Sequence, residues 1–143
     1  MATTDQSPTL IEPQKAWEMM QQNPSVLLLD VRSDMEFLMI GHPKGALHVA
    51  WIDEPDWTIN PDFLPEVRKL MLGRLSARTQ QTAPVILICR SSNRSVDAAK
   101  ALLADGIEDV YVVDGGFEGP LDDDHHRNTV AGWRFANLPW EQC

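Results

Sequence analysis

Short apolar runs alternate along this chain with segments whose apolar residues return every three or four positions. The runs are Thr9-Leu10-Ile11, Val26-Leu27-Leu28-Leu29, Ala46 to Ala50, Pro84-Val85-Ile86-Leu87-Ile88-Cys89 and Val110-Tyr111-Val112-Val113. The Val26–Leu29 run has no polar alternation, which predicts a central parallel strand covered on both faces, whereas Thr9–Ile11 fits a short edge strand.

Between the runs the period is helical. Pro13 suits the first turn of a helix reaching about Gln22, with Ala16, Met19 and Met20 on one face, and Asn23-Pro24 stops it. Ser33 with Glu36 three residues on forms a capping box for a short helix carrying Phe37, Leu38 and Ile40, which Gly41 ends. From about 62 to 77, Phe63, Val67, Leu70, Met71 and Leu75 recur at helical spacing, with Pro65 tolerated near the start. Val96, Ala99 and Leu103 mark a helix after Cys89 that ends at Gly106. Strands and helices in this alternation predict an α/β fold with a mostly parallel sheet and right-handed crossovers.

Two stretches have no clear period. Residues 51–61, with three acids, two prolines and two tryptophans, read as a surface excursion, with Trp51 and Trp57 candidates to close it onto the body. A second link spans 78–83. From Gly115 the chain is rich in glycine, proline and charge, and its late aromatics Trp133, Phe135 and Trp140 favour a tail packed onto the domain.

At 143 residues the expectation is one compact domain, able to bury roughly 70% of its unfolded surface. No apolar stretch approaches the about 20 residues that cross a bilayer, and the first ten residues carry no basic start, so the expected compartment is the cytoplasm. With 21 acidic against 12 basic residues the net charge is -9, which disfavours nucleic acid and anionic membranes as partners. Cys89 and Cys143 belong to no C-x-x-C pair, so reduced thiols are expected.

In open parallel sheets, sites form beyond the carboxyl ends of strands, where the next helix points its N-terminus at a ligand. Cys89 ends such a strand and is followed by Arg90-Ser91-Ser92-Asn93-Arg94-Ser95, all small, polar or basic. A tight turn there lets backbone N–H groups converge above the sulfur and, with the helix dipole, favours a thiolate. A free cysteine at a strand end is in isolation more often plain core, but a packing cysteine does not call for two arginines and three serines after it. Arg90 and Arg94 read either as anion-recognising groups or as solvated loop charges, one of them bracing the loop through an ion pair.

The Cys89–Ser95 segment resembles the active-site loop of rhodanese sulfurtransferases. Leu29-Asp30-Val31-Arg32, Glu36-Phe37 and Gly41-His42 through Gly45-Ala46 resemble that family's N-terminal signature, and Asp114-Gly115-Gly116-Phe117 is similar to the segment after its last strand. The resemblance covers residues 9–141, which would form a single rhodanese-like domain behind a flexible leader, 1–8. It implies a three-layer α/β fold with a five-stranded, mostly parallel sheet flanked by helices. It also implies transfer of sulfane sulfur from a small anionic donor such as thiosulfate, or from a persulfide donor, to a thiol, cyanide or protein acceptor. By the same resemblance Cys89 is the nucleophile, the backbone from Arg90 to Ser95 holds the persulfide, and Arg94 helps bind the donor. Neither a metal nor an organic cofactor is required.

This chain departs from the family twice. Relatives often have glycine where Ser92 stands, so a positive backbone angle is expected there at some strain. The stretch 51–83 is also longer than in minimal domains.

Asp30, Arg32 and Glu36 fit a structural ion-pair and hydrogen-bond network better than acid–base work, and His42 fits a backbone hydrogen bond in a turn. The run Asp122-Asp123-Asp124-His125-His126 reads as a solvated acidic loop rather than a metal site. Cys143 is expected to be a mobile bystander, with a resolving role the lesser alternative because a tail can reach a persulfide. Two rival functions remain. A cysteine phosphatase or arsenate reductase would share the thiolate and arginine, but the four residues between Cys89 and Arg94 are one fewer than phosphatases use. A non-catalytic rhodanese-like binding module would typically lack the cysteine.

Overall fold

The computed structural model describes residues 7–53, 57–73 and 84–142. Most of the expected leader, the link 78–83, the far end of the 62–77 helix and Cys143 lie outside the described residues.

Strands β1 (Thr9–Ile11), β2 (Leu27–Asp30), β3 (His42–Pro43), β4 (Leu47–His48), β5 (Ile52–Asp53), β6 (Thr58–Ile59), β7 (Val85–Ile88), β8 (Val110–Val113) and β9 (Trp140–Glu141) accompany helices α1 (Pro13–Gln22), α2 (Phe63–Gly73) and α3 (Asn93–Ala104). The five strands expected from the apolar runs form one sheet in the order β1-β8-β7-β2-β4, and every pairing within it is parallel. Every residue of β2 and β7 is buried, which is why their sequences show no alternation.

Successive side chains of these strands feed two cores. Leu28, Ile86, Ile88 and Val113 pack with Ala16 of α1 and with Phe117 and Trp133 from the tail. Leu27, Leu29, Val85, Leu87 and Val112 pack with Phe63 and Val67 of α2 and Ala98, Ala99 and Leu102 of α3. The result is the three-layer α/β arrangement. Among the described residues no helix is long and apolar enough to cross a membrane.

Three local readings change. The capping box forms, with the Ser33 N–H and hydroxyl donating to Glu36 Oε1 at 3.3 and 3.1 Å and the Glu36 N–H returning to Ser33 Oγ at 3.4 Å. The segment that it opens, however, runs from Glu36 to Ile40 as a π-helix, closed by Gly41 N–H donating to Glu36 O five residues back. Nothing in this segment is fully buried, so no apolar stripe enforces a 3.6-residue period. Instead Phe37 is clamped between two imidazoles, His42 stacked at 3.8 Å and His48 at 4.6 Å.

The excursion 51–61 contains an antiparallel pair, β5 with β6, which short strands with one turn of alternation cannot announce. Trp51 does close onto the body, edge-on to Phe63 at 5.0 Å, but Trp57 is 55% exposed. The tail packs through a buried Trp133, whose indole N–H donates to Pro139 O at 2.8 Å, while Phe135 stays exposed. The tail also pairs β9 with β3.

Candidate active site

Cys89 follows β7 at its carboxyl end and is 1% exposed. Its Sγ accepts the Ser92 N–H at 3.1 Å and the Ser95 N–H, in the first turn of α3, at 3.4 Å. The turn closes because Ser92 adopts φ 97° and ψ −16°, a left-handed conformation that lets a strand end and a helix start fold over one atom. Two amide donors and the helix N-terminus therefore surround the sulfur with partial positive charge. The Ser95 hydroxyl oxygen is buried with no hydrogen-bond partner among the described residues.

The loop is held from behind by the segment after β8. Cys89 O accepts from Phe117 N–H at 2.7 Å, and Arg90 O from Glu118 and Gly119 N–H groups at 3.0 and 3.1 Å. Backbone meets backbone here only because Gly116 lacks a side chain: a Cβ would lie 2.5 Å from Cys89 O and 2.6 Å from the Arg90 carbonyl carbon. Reasoning from sequence singled out Asp114-Gly115-Gly116-Phe117 but gave it no mechanical role. The adjacent glycines were its signal.

A buried pair supports the same buttress. Arg32 is fully buried and donates to both carboxylate oxygens of Asp30, at 2.9 and 2.7 Å, and to Gly41 O, while its guanidinium lies 4.6 Å from the centre of the Phe117 ring. His42 Nδ1 lies 2.8 Å from Phe37 O. The Asp122 carboxylate takes the Thr129 hydroxyl and the Asp124 and His126 N–H groups, so it organises its own turn, and these bonds hold it below the ordinary carboxylate range.

The two loop arginines differ. Arg94 meets Glu36 with both terminal nitrogens, at 2.7 and 2.9 Å. Burial pushes the Glu36 carboxyl up, but the Arg94 guanidinium and the Ser33 donors outweigh it and bring the carboxyl down to about 2. The Glu36 hydrogen bonds raise Arg94 in turn against its own burial, with a smaller contribution from the charge of Cys89. Arg90 is exposed and makes no ion pair among the described residues. Both arginines line a pocket of about 490 Å³ whose wall includes Met35, Ile40, Ile52 and Trp57. The sequence reading named Trp57 only as a residue that closes the excursion, because nothing local ties it to Cys89. Ser91 faces a smaller pocket, of about 280 Å³, on another side of the loop.

Fold and loop together define an α/β domain with a cysteine cradled by amide groups at a strand end. The description "Rhodanese-like domain" matches residues 12–121, and the chain belongs to that family. It is similar to the thiosulfate sulfurtransferase GlpE of Haemophilus influenzae (strain PittEE), 34% identical over 109 residues, covering 76% of this chain and 84% of that protein. Among solved structures, Rv0390 from M. tuberculosis is 38% identical with a TM-score of 0.79, covering 96% of this chain and 100% of that one. The polysulfide-sulfur transferase homodimer from Wolinella succinogenes shares the fold, at 22% identity and a TM-score of 0.61, covering 95% of this chain and 80% of that one.

Proposed function

We propose that the chain is a sulfurtransferase that carries sulfane sulfur as a persulfide on Cys89. The observation that carries this reading is the pair of N–H groups, from Ser92 and Ser95, already pointed at Cys89 Sγ. Fixed donors of this kind favour a negative sulfur at no cost of reorganisation. With thiosulfate as donor, the Cys89 thiolate attacks the outer sulfur, the S–S bond of the donor breaks, and sulfite leaves with the bonding pair. The product is Cys89–S–S⁻, whose outer sulfur passes to a thiolate or cyanide and restores the Cys89 thiolate. The unpartnered Ser95 hydroxyl supplies a further donor for the added sulfur. Arg90, which pairs with no carboxylate among the described residues, meets the incoming anion. Arg94, paired to Glu36, keeps the loop in shape and adds its charge at longer range.

The intact mass after incubation with thiosulfate tests this directly. Wild-type protein is expected to gain one sulfur atom, lost again on adding cyanide, and folded Cys89→Ser to gain none. Wild-type turnover in Cys89→Ser would overturn the proposal.

A further inference from the structure

Bare thiosulfate makes little use of the pocket beside the Cys89 loop. Its volume of about 490 Å³ lies in the range that takes organic ligands rather than small inorganic ions. Four of its lining residues are apolar, Met35, Ile40, Ile52 and Trp57, and three of these are open to solvent: Met35 by 57%, Ile40 by 36% and Trp57 by 55%. Trp57 also holds a left-handed backbone angle, φ 54°, an unfavourable conformation for a bulky residue and one that tends to mark functional surfaces.

Charge narrows the ligand further. Glu36 offsets much of the Arg94 charge, and among the described residues Arg90 meets no carboxylate, so the loop suits a monoanion better than a dianion. Cys89 does not itself line the pocket. A donor whose body occupied the pocket would present only its outer sulfur to Cys89.

We infer that Trp57 sets a preference, among organic sulfane-sulfur anions, for those whose outer sulfur is carried by a larger apolar group. The inference rests on the sulfur-transfer reading of Cys89. Two sources share the chemistry. An organic thiosulfonate gives Cys89–S⁻ + R–SO₂–S⁻ → Cys89–S–S⁻ + R–SO₂⁻. An organic persulfide gives Cys89–S⁻ + R–S–S⁻ → Cys89–S–S⁻ + R–S⁻. In each, one S–S bond forms, one S–X bond breaks, and the leaving group departs with the electron pair. The apolar R group packs on Trp57 and Met35 and shields the departing anion beside Arg90.

The test compares donors that differ only in R. Sulfur transfer to cyanide is measured with phenyl and methyl thiosulfonate, with benzyl and methyl persulfide, and with thiosulfate, in wild type and Trp57→Ala, and Cys89 loading is followed by intact mass. The larger R group is expected to raise kcat/KM roughly tenfold in wild type and only about twofold in Trp57→Ala. A preference confined to one donor pair supports the inference and identifies that source. Equal kcat/KM within both pairs, or a preference that Trp57→Ala leaves intact, overturns it while thiosulfate still loads Cys89. If no donor adds sulfur to Cys89, the sulfur-transfer reading itself fails, and the inference with it.

Discussion

Arg94 and Glu36 meet as two parallel hydrogen bonds, Nη1 to Oε1 at 2.7 Å and Nη2 to Oε2 at 2.9 Å, although 58 residues separate them. The pair joins the first turn of α3 to the π-helical segment after β2, and both side chains are mostly shielded, 23% and 15% exposed. The planar fork of an arginine meets a carboxylate through two parallel hydrogen bonds only when the two groups are nearly coplanar, so the contact fixes direction as well as distance. The resemblance to rhodaneses implied donor binding for Arg94. The structure pairs it with Glu36, as the bracing alternative requires, and Arg90 makes no ion pair among the described residues.

Glu36 makes stability acid-sensitive. Its carboxyl titrates at about 2 in the folded chain against an ordinary 4.5, so the folded state binds the proton more weakly than the unfolded one. The stabilisation is fully present above about pH 4.5 and is lost as the pH falls toward about 2, amounting at most to on the order of 3 kcal/mol. Urea unfolding across this window is expected to show that loss in wild type and a flatter profile in Glu36→Gln. The same substitution is expected to lower kcat/KM for every sulfur donor, charged or not, because it frees the arginine that shapes the loop.

Ser92→Gly is expected to stabilise the protein by about 0.5–1 kcal/mol. Glycine adopts the 97° angle without a Cβ penalty, which outweighs the extra freedom it gives the unfolded chain. Thermal unfolding measures it, and sulfur transfer should be retained. A clear loss of stability would show that the Ser92 side chain contributes more than its backbone strain costs.

Gly116→Ala is expected to damage both fold and site. The new Cβ would enter the contact between Gly116 and the Cys89–Arg90 backbone, at a position with φ 65°, and force the buttress away from the loop. Destabilisation of roughly 2 kcal/mol or more is expected, with slower sulfur loading in the fraction that folds. Gly73→Ala, where an added Cβ meets nothing within 4 Å, serves as the control.

Hydrolysis of aryl phosphates is expected to be negligible beside sulfur transfer. The N–H groups of Ser92 and Ser95 already close on Sγ at 3.1 and 3.4 Å, a cradle for an atom attached to the sulfur rather than for a tetrahedral anion above it. Release of aryl alcohol, compared between wild type and Cys89→Ser, checks it. Efficient hydrolysis that depends on Cys89 would reverse the ranking of the two chemistries.

Much of this architecture was legible in one dimension. Apolar runs of three to six residues give five strands, and in β2 and β7 burial on both faces leaves no room for polar alternation. The place of Cys89 followed from the same logic, since a strand that ends in a small polar stretch before a helix must present its last residue at the sheet's carboxyl edge. Even the left-handed angle at Ser92 was anticipated, from a position where relatives often have glycine.

Other features had no local signal. The π-helical turn at Glu36–Ile40 is fixed by what grips it, the His42 and His48 rings around Phe37 and Arg94 on Glu36, and none of these partners is specified by the segment's own period. The buttress at Gly116 and the placing of Trp57 in the pocket wall likewise depend on distant segments meeting. The decisive event is the parallel pairing of β2 with β7, in which Asp30 stands opposite Ile88. Two parallel strands in register release their following segments side by side at one edge, and that brings Glu36 to Arg94 and the apolar rim to Cys89. Apolar patterning determined which residues form strands, because burial acts on each residue where it stands. Which charge meets which was decided only when the strands paired, because a salt bridge depends on the distance between two groups that the chain itself leaves far apart.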